Sequence, residues 1–188
     1  MPLRHLGTGG AAPHIAVWAH NSHLGDASAT EMGERNEWNV GHLVRDRYAD
    51  EAALVSFSTH RGWVTAAANW HEPPQRKRVR EGFPGSWKDV LHHTGTTPFL
   101  LPLRDDATLR SLVASQRLQR AIGVIYRPDT ERQSHYFYTR LAQQFDAVIH
   151  IDETSAVEPL DEGRVWIDGE APETFPSGIQ RFRKCNEN

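Results

Sequence analysis

Two imidazoles three positions apart, His20 and His23, follow the apolar run Ile15-Ala16-Val17-Trp18-Ala19 and are separated by Asn21 and Ser22. An imidazole titrates near neutrality, so each can serve as base, acid, metal ligand or hydrogen-bond donor to a developing oxyanion. Side chains alternate along a strand, so the pair converges only if the chain turns at His20 into a loop or a first helical turn, which Asn21 and Ser22 suit. The residues before it read as a buried parallel strand delivering the pair to its carboxyl end, where α/β folds keep their chemistry. The competing reading makes His20 a satisfied end-of-strand residue and His23 a surface one.

A second group follows the apolar run Ala121–Tyr126. Arg127 or Arg132 could bind a carboxylate or phosphate through two parallel hydrogen bonds, and His135 and Tyr136 could hold or protonate a leaving group. Equally, this is a charged loop in which Glu131 and Arg132 pair with neighbours. His150 and Asp152 lie two apart in a strand and face one side, as an orienting pair or as ordinary edge packing. His92 and His93 diverge by about 100° on a helix and make a poor chelating pair. The basic run Gln75–Arg80, flanked by prolines and glycines, reads as a solvated loop.

The elements that must position these groups alternate. Asn39 caps a helix whose inner face is Val40, Leu43, Val44 and Tyr48, with His42 toward solvent. Ala53–Ser58 is a strand, and His60-Arg61-Gly62 turns into its hairpin partner Trp63–Ala67. Ser86 to Asp89 is a capping box for a helix through His93, ended by Gly95. Apolar runs at 98–103, 121–126 and 147–152 read as strands, and 107–119 as a helix. The pattern predicts an α/β fold with a mixed, mostly parallel sheet flanked by helices.

At 188 residues, with 38% hydrophobic and 24% charged residues, the chain fits one soluble domain and excludes a disordered one. A net charge of -3 gives no broad basic field, so nucleic acid is not an expected partner. The lone Cys185 excludes a disulfide scaffold and a multi-cysteine zinc site and fits a reducing compartment. Gly7-Thr8-Gly9-Gly10 lacks the Lys-Ser/Thr ending of a phosphate loop. No run resembles a signal peptide or membrane span, so no membrane partner and a cytoplasmic location are expected.

The strings VWAHNSHLGDASATEMG, NVGHLVRDRY, SFSTHRGWVTAA, IGVIYRP and ERQSHYF resemble the carboxyl-terminal half of the erythromycin esterase family, which includes succinoglycan-biosynthesis-type relatives. The resemblance runs from about Ile15 to Leu160, and the WAHN-x-H string is its most specific part. It implies one half of a larger esterase-type domain, with residues 1–13 a flexible leader, 14–160 the family-like region and 161–188 an extension. It also implies opening of cyclic esters by a water that histidine and glutamate activate, with no metal or other cofactor. The resemblance puts His20 and His23 in the active site as catalytic residues and matches Arg132 and His135 to a recurring segment, which together with the neighbouring Tyr136 makes the substrate-binding set. The family's Glu-x-His segment belongs to its amino-terminal half, and no Glu here is followed two positions later by His. The chain therefore reads as a truncated or separately encoded piece whose partners are a small ester or lactone and an amino-terminal half. Two other classes stay open. One is a histidine-based metal site using His20, His23 and Asp26 or His135, motivated by 11 histidines. The other is a non-catalytic interaction module.

Overall fold

The computed structural model describes residues 14–158, so the expected leader and the extension lie outside the described residues. The elements begin with α1 (Asn21–Leu24), α2 (Glu31–Glu34), α3 (Val40–Tyr48), β1 (Val55–Ala66), β2 (Gln75–Val79), α4 (Trp87–His92) and β3 (Phe99–Pro102). They continue with α5 (Ala107–Leu112), β4 (Gln116–Arg120), α6 (Glu131–Ser134), β5 (Tyr136–Arg140), α7 (Leu141–Gln144) and β6 (Ala147–Thr154).

β1 organises the molecule. Its alternation puts Ser56, Ser58 and His60 on one face, all buried, and Val55 and Phe57 on the other, both exposed. It lies second in a sheet ordered β2-β1-β6-β3, parallel to β6 and antiparallel to β2, while β3 runs antiparallel to β6. The mixed sheet flanked by helices is thus present, with a smaller parallel share than the alternating pattern implied. A separate antiparallel pair, β4 with β5, completes the strands. The main core lies on the inner face of the large sheet, where Trp87 and Leu91 of α4 meet Leu103, Leu141, Phe145 and Val148.

Capping drives the local structure as expected. The Asn39 side chain accepts from the His42 N–H to start α3, and Ser86 accepts from the Asp89 N–H to start α4. Asn39 also donates to the carbonyls of Ser22 and Gly25 at 2.7 Å each, tying α3 to the turn at His20. Within α3 it is Gly41 that is buried, while Val40 and Leu43 are exposed; His42 is turned inward to Asp26, not to solvent.

Several elements differ from the sequence pattern. Residues 15–19 form no strand, and Trp18 is 84% exposed, lying against Phe57 at 5.3 Å between ring centroids. The open edge of β1 is taken instead by the Asn21 side chain, whose amide donates to Phe57 O at 2.6 Å and accepts from Phe57 N–H at 3.3 Å. The expected hairpin at His60-Arg61-Gly62 is absent because β1 runs straight through it. Gly62 is needed there for a φ of +128° and because a side chain would strike the Thr154 backbone. The basic run is not a loop but β2, the true antiparallel partner of residues 62–66. The helix expected over 107–119 stops at Leu112, since Leu118 is taken into β4. Residues 121–126 hold only a single bridge, Ile125 to Ala67. Among the described residues no helix is long and apolar enough to cross a membrane.

Candidate active site

The chain does turn into a helical first turn at His20, which is the N-cap of α1. Its Nε2 lies 2.9 Å from the Ile122 carbonyl oxygen. A carbonyl only accepts, so Nε2 carries the proton and Nδ1 is the accepting atom. Nδ1 receives the Ser22 N–H at 3.2 Å and the Ser22 hydroxyl at 2.8 Å. Burial lowers the His20 pKa, with the neighbouring His23 and Lys88 adding to the effect, so the ring is neutral at pH 7. His23 is exposed, its ring 6.2 Å from that of His20 in an edge-on arrangement.

The residues after Tyr126 are placed differently from one another. His135 is buried, and its Nε2 accepts from the Arg127 N–H at 3.0 Å; burial lowers its pKa. Tyr136 is buried too, its hydroxyl accepting from the Phe83 N–H at 2.8 Å. Arg132 sits between the rings of Phe83 and Tyr138, at 5.9 and 5.8 Å from their centroids. The segment Ala121–Ile122 links this group to the turn, because Ala121 N–H donates to His135 O and Ile122 O accepts from His20. Glu131 pairs with Arg120 at 3.1 Å, not with Arg132.

Beneath α4 lies a cluster that joins the sequence-named pair His150 and Asp152 to His92 and His60, a grouping the sequence pattern did not show. His92 Nδ1 donates to both Asp152 oxygens at 2.8 and 2.9 Å. His150, fully buried, donates from Nε2 to Asp152 at 3.3 Å, which leaves Nδ1 to accept from the Ser58 hydroxyl at 3.2 Å. His60 stacks on His92 at 3.9 Å and 9°, and its pKa is lowered by burial and then by the charge His92 can carry. His150 is lowered by burial as well. His150 and Asp152 therefore work as an orienting pair inside the molecule, not as edge packing. The signal was the polar alternation Ser56, Ser58, His60, hidden by reading a turn at His60.

Lys88 completes the inventory: only 4% of it is exposed, and burial followed by repulsion from Arg120 lowers its pKa to about 7. Its charge acts on both His20 and His150.

For a metal, the geometry is unfavourable. His20 has both ring nitrogens engaged, and Asp26 Oδ1 accepts from the Ser28 N–H, the Ser28 hydroxyl and His42 Nδ1. Among the described residues no group of three or more His, Cys, Asp or Glu side chains could hold a metal ion.

Known proteins share this architecture. A solved succinoglycan biosynthesis protein matches with a TM-score of 0.60 at 23% identity, covering 74% of this chain and 33% of its own. A solved protein from Bacillus cereus matches at 0.61 and 18%, again over 74% and 33%. At these identities the likeness shows the fold alone, and the matched part of this chain spans about a third of the length of either relative. The erythromycin esterase family model matches residues 3–154. Most of the sequence, including the turn at His20 and the strands around it, falls within that match, and the chain belongs to the erythromycin esterase family.

Proposed function

We propose that this chain supplies the histidine-bearing wall of a hydrolase that cleaves an ester or lactone with an imidazole-activated water. The observation that supports this best is the fixed protonation pattern of His20: a neutral ring, oriented through Nε2–H by a backbone carbonyl, with Nδ1 as its basic atom. An oriented neutral imidazole is what general-base catalysis needs at neutral pH.

In this reading a water attacks the substrate carbonyl while its proton passes to the Ser22 hydroxyl, whose own proton moves to His20 Nδ1. The tetrahedral intermediate then expels the alkoxide, which takes a proton back from the imidazolium or from the exposed His23. Arg132, with no ion-pair partner among the described residues, remains the candidate for a substrate carboxylate or carbonyl, while His135 and Tyr136 act by holding the segment that carries Ile122. The solved relatives are about twice this length, so a separately encoded amino-terminal part is the proposed partner, supplying the acidic residue that the family likeness implies.

The test is a panel of linear esters and lactones assayed with this chain, with and without the amino-terminal part of the family. Hydrolysis that appears on combining the two supports the reading, and no hydrolysis of any member under either condition contradicts it. Ser22→Ala separates a second reading suggested by the 2.8 Å Ser22 to His20 contact. Retained turnover assigns the nucleophile to water, whereas complete loss together with no acyl-enzyme in the parent would leave Ser22 as a relay and an acyl-enzyme would make it the nucleophile.

A further inference from the structure

Lys88 sits on the inward face of α4 and is 4% exposed; its amine has no hydrogen-bond or ion-pair partner among the described residues and keeps only a small contact with solvent. A cation withdrawn from water without a counter-charge is strongly disfavoured. Its neighbour Arg120 is as deeply buried but fully matched. Arg120 donates to Glu131 Oε1 at 3.1 Å and to the carbonyls of Arg80, Thr59 and His60 at 2.7, 3.2 and 2.7 Å. Glu131 is also committed to the Tyr126 hydroxyl at 2.8 Å, and Asp152 is committed to His92 and His150. With both carboxylates engaged elsewhere, Lys88 is left without a counter-charge among the described residues.

Position adds to this. The Lys88 charge is felt at both His20 and His150, lowering both, so the amine lies within electrostatic reach of the turn at His20. Burial and Arg120 bring its pKa to about 7, which makes the amine half-charged at neutral pH and responsive to any anion that arrives. Neither the resemblance nor the family match assigns it a role.

We propose that Lys88 anchors a small-oxyanion site beside His20, taking a carboxylate or the oxyanion of a tetrahedral group as its missing counter-charge. If the hydrolase reading holds, on which this use of the site rests, ester cleavage generates both species in turn, the tetrahedral oxyanion and then the carboxylate of the acid product. Binding itself requires no turnover.

The chain contains three lysines, Lys77, Lys88 and Lys184, so isotopic labelling at the lysine ε-carbon gives three signals, and Lys88→Arg identifies one of them. Acetate and methylphosphonate are titrated into the full 188-residue chain at constant ionic strength. The Lys88 signal should shift saturably with at least one of them and its titration midpoint should rise, while the Lys184 signal stays still. The same anion should raise the melting temperature of the parent, with binding to Lys88→Met roughly ten- to hundredfold weaker. A preference for acetate identifies a carboxylate site and a preference for methylphosphonate a tetrahedral one; either supports the assignment. A Lys88 signal that follows Lys184 in both titrations, or equal protection of parent and Lys88→Met, overturns it. A chain that binds the anion but hydrolyses nothing would count against the hydrolase reading alone.

Discussion

His20 shows how much of a site depends on which proton sits where. Its spacing from His23, and the need for a turn between them, were legible in the sequence because strand alternation forbids any other way of bringing the rings together. The tautomer was not, since it is fixed by Ile122, 102 positions away. Lys88 was invisible for a related reason: within a capping box a lysine reads as solvent-facing, and only the packing of α4 on the sheet buries it. That burial has a measurable consequence. In the folded chain Lys88 loses its proton near pH 7, whereas unfolded lysine keeps it to about 10.4. The unfolded state thus binds more protons across this window, so stability rises with pH between those values. Denaturant melts in an anion-poor buffer should show that rise in the parent and a flatter profile in Lys88→Met. The buried histidines act in the same direction lower down. With folded pKa values below 6.5, His20, His60, His135 and His150 favour unfolding as pH falls through 6.5. Equal pH slopes for parent and Lys88→Met would contradict the burial of the amine.

Elements defined by caps were readable, whereas elements defined by their neighbours were not. Asn39 and Ser86 start α3 and α4 through their own side chains, which is local chemistry. Whether residues 15–19 or 75–79 pair as strands depends on which edge of β1 is free, and that is decided elsewhere in the chain. The docking of α3 onto the turn at His20 rests on a close approach at Gly41, where a methyl group would strike the carbonyl oxygens of Leu24 and Gly25. Gly41→Ala is accordingly expected to push α3 away and break the Asn39 bonds to Ser22 and Gly25, costing roughly 1–3 kcal/mol. Helix propensity alone would make the same change stabilising by about 1 kcal/mol. Thermal melts decide the sign, and a more stable Gly41→Ala protein would show that α3 does not hold the turn.

For the molecule as a whole, the two faces of the large sheet are chemically unlike. The inner face carries the histidines under α4, while the outer face presents Val55 at 42%, Phe57 at 39%, Ile151 at 38% and Leu100 at 60% exposure, with Trp18 beside Phe57. Paired positions bring these residues together, since Phe57 and Leu100 both face Ile149. Contiguous apolar surface of this kind promotes association. The chain alone is expected to self-associate, and Phe57→Lys to reduce its mass by light scattering without lowering its melting temperature. A monodisperse parent monomer would contradict that expectation. The α/β class and mixed sheet followed from alternating apolar runs, but the identity of the exposed face could not, because it depends on which residues of β1 and β6 share a register. The proposed role of His20 as the base in ester or lactone hydrolysis is put to the test by His20→Asn. Asparagine can still cap α1, so the turn is kept while the imidazole is lost. With the combined chains and a responsive ester, the His20→Asn protein should stay folded while its kcat falls by about a hundredfold or more. A folded His20→Asn protein with parental kcat would contradict it.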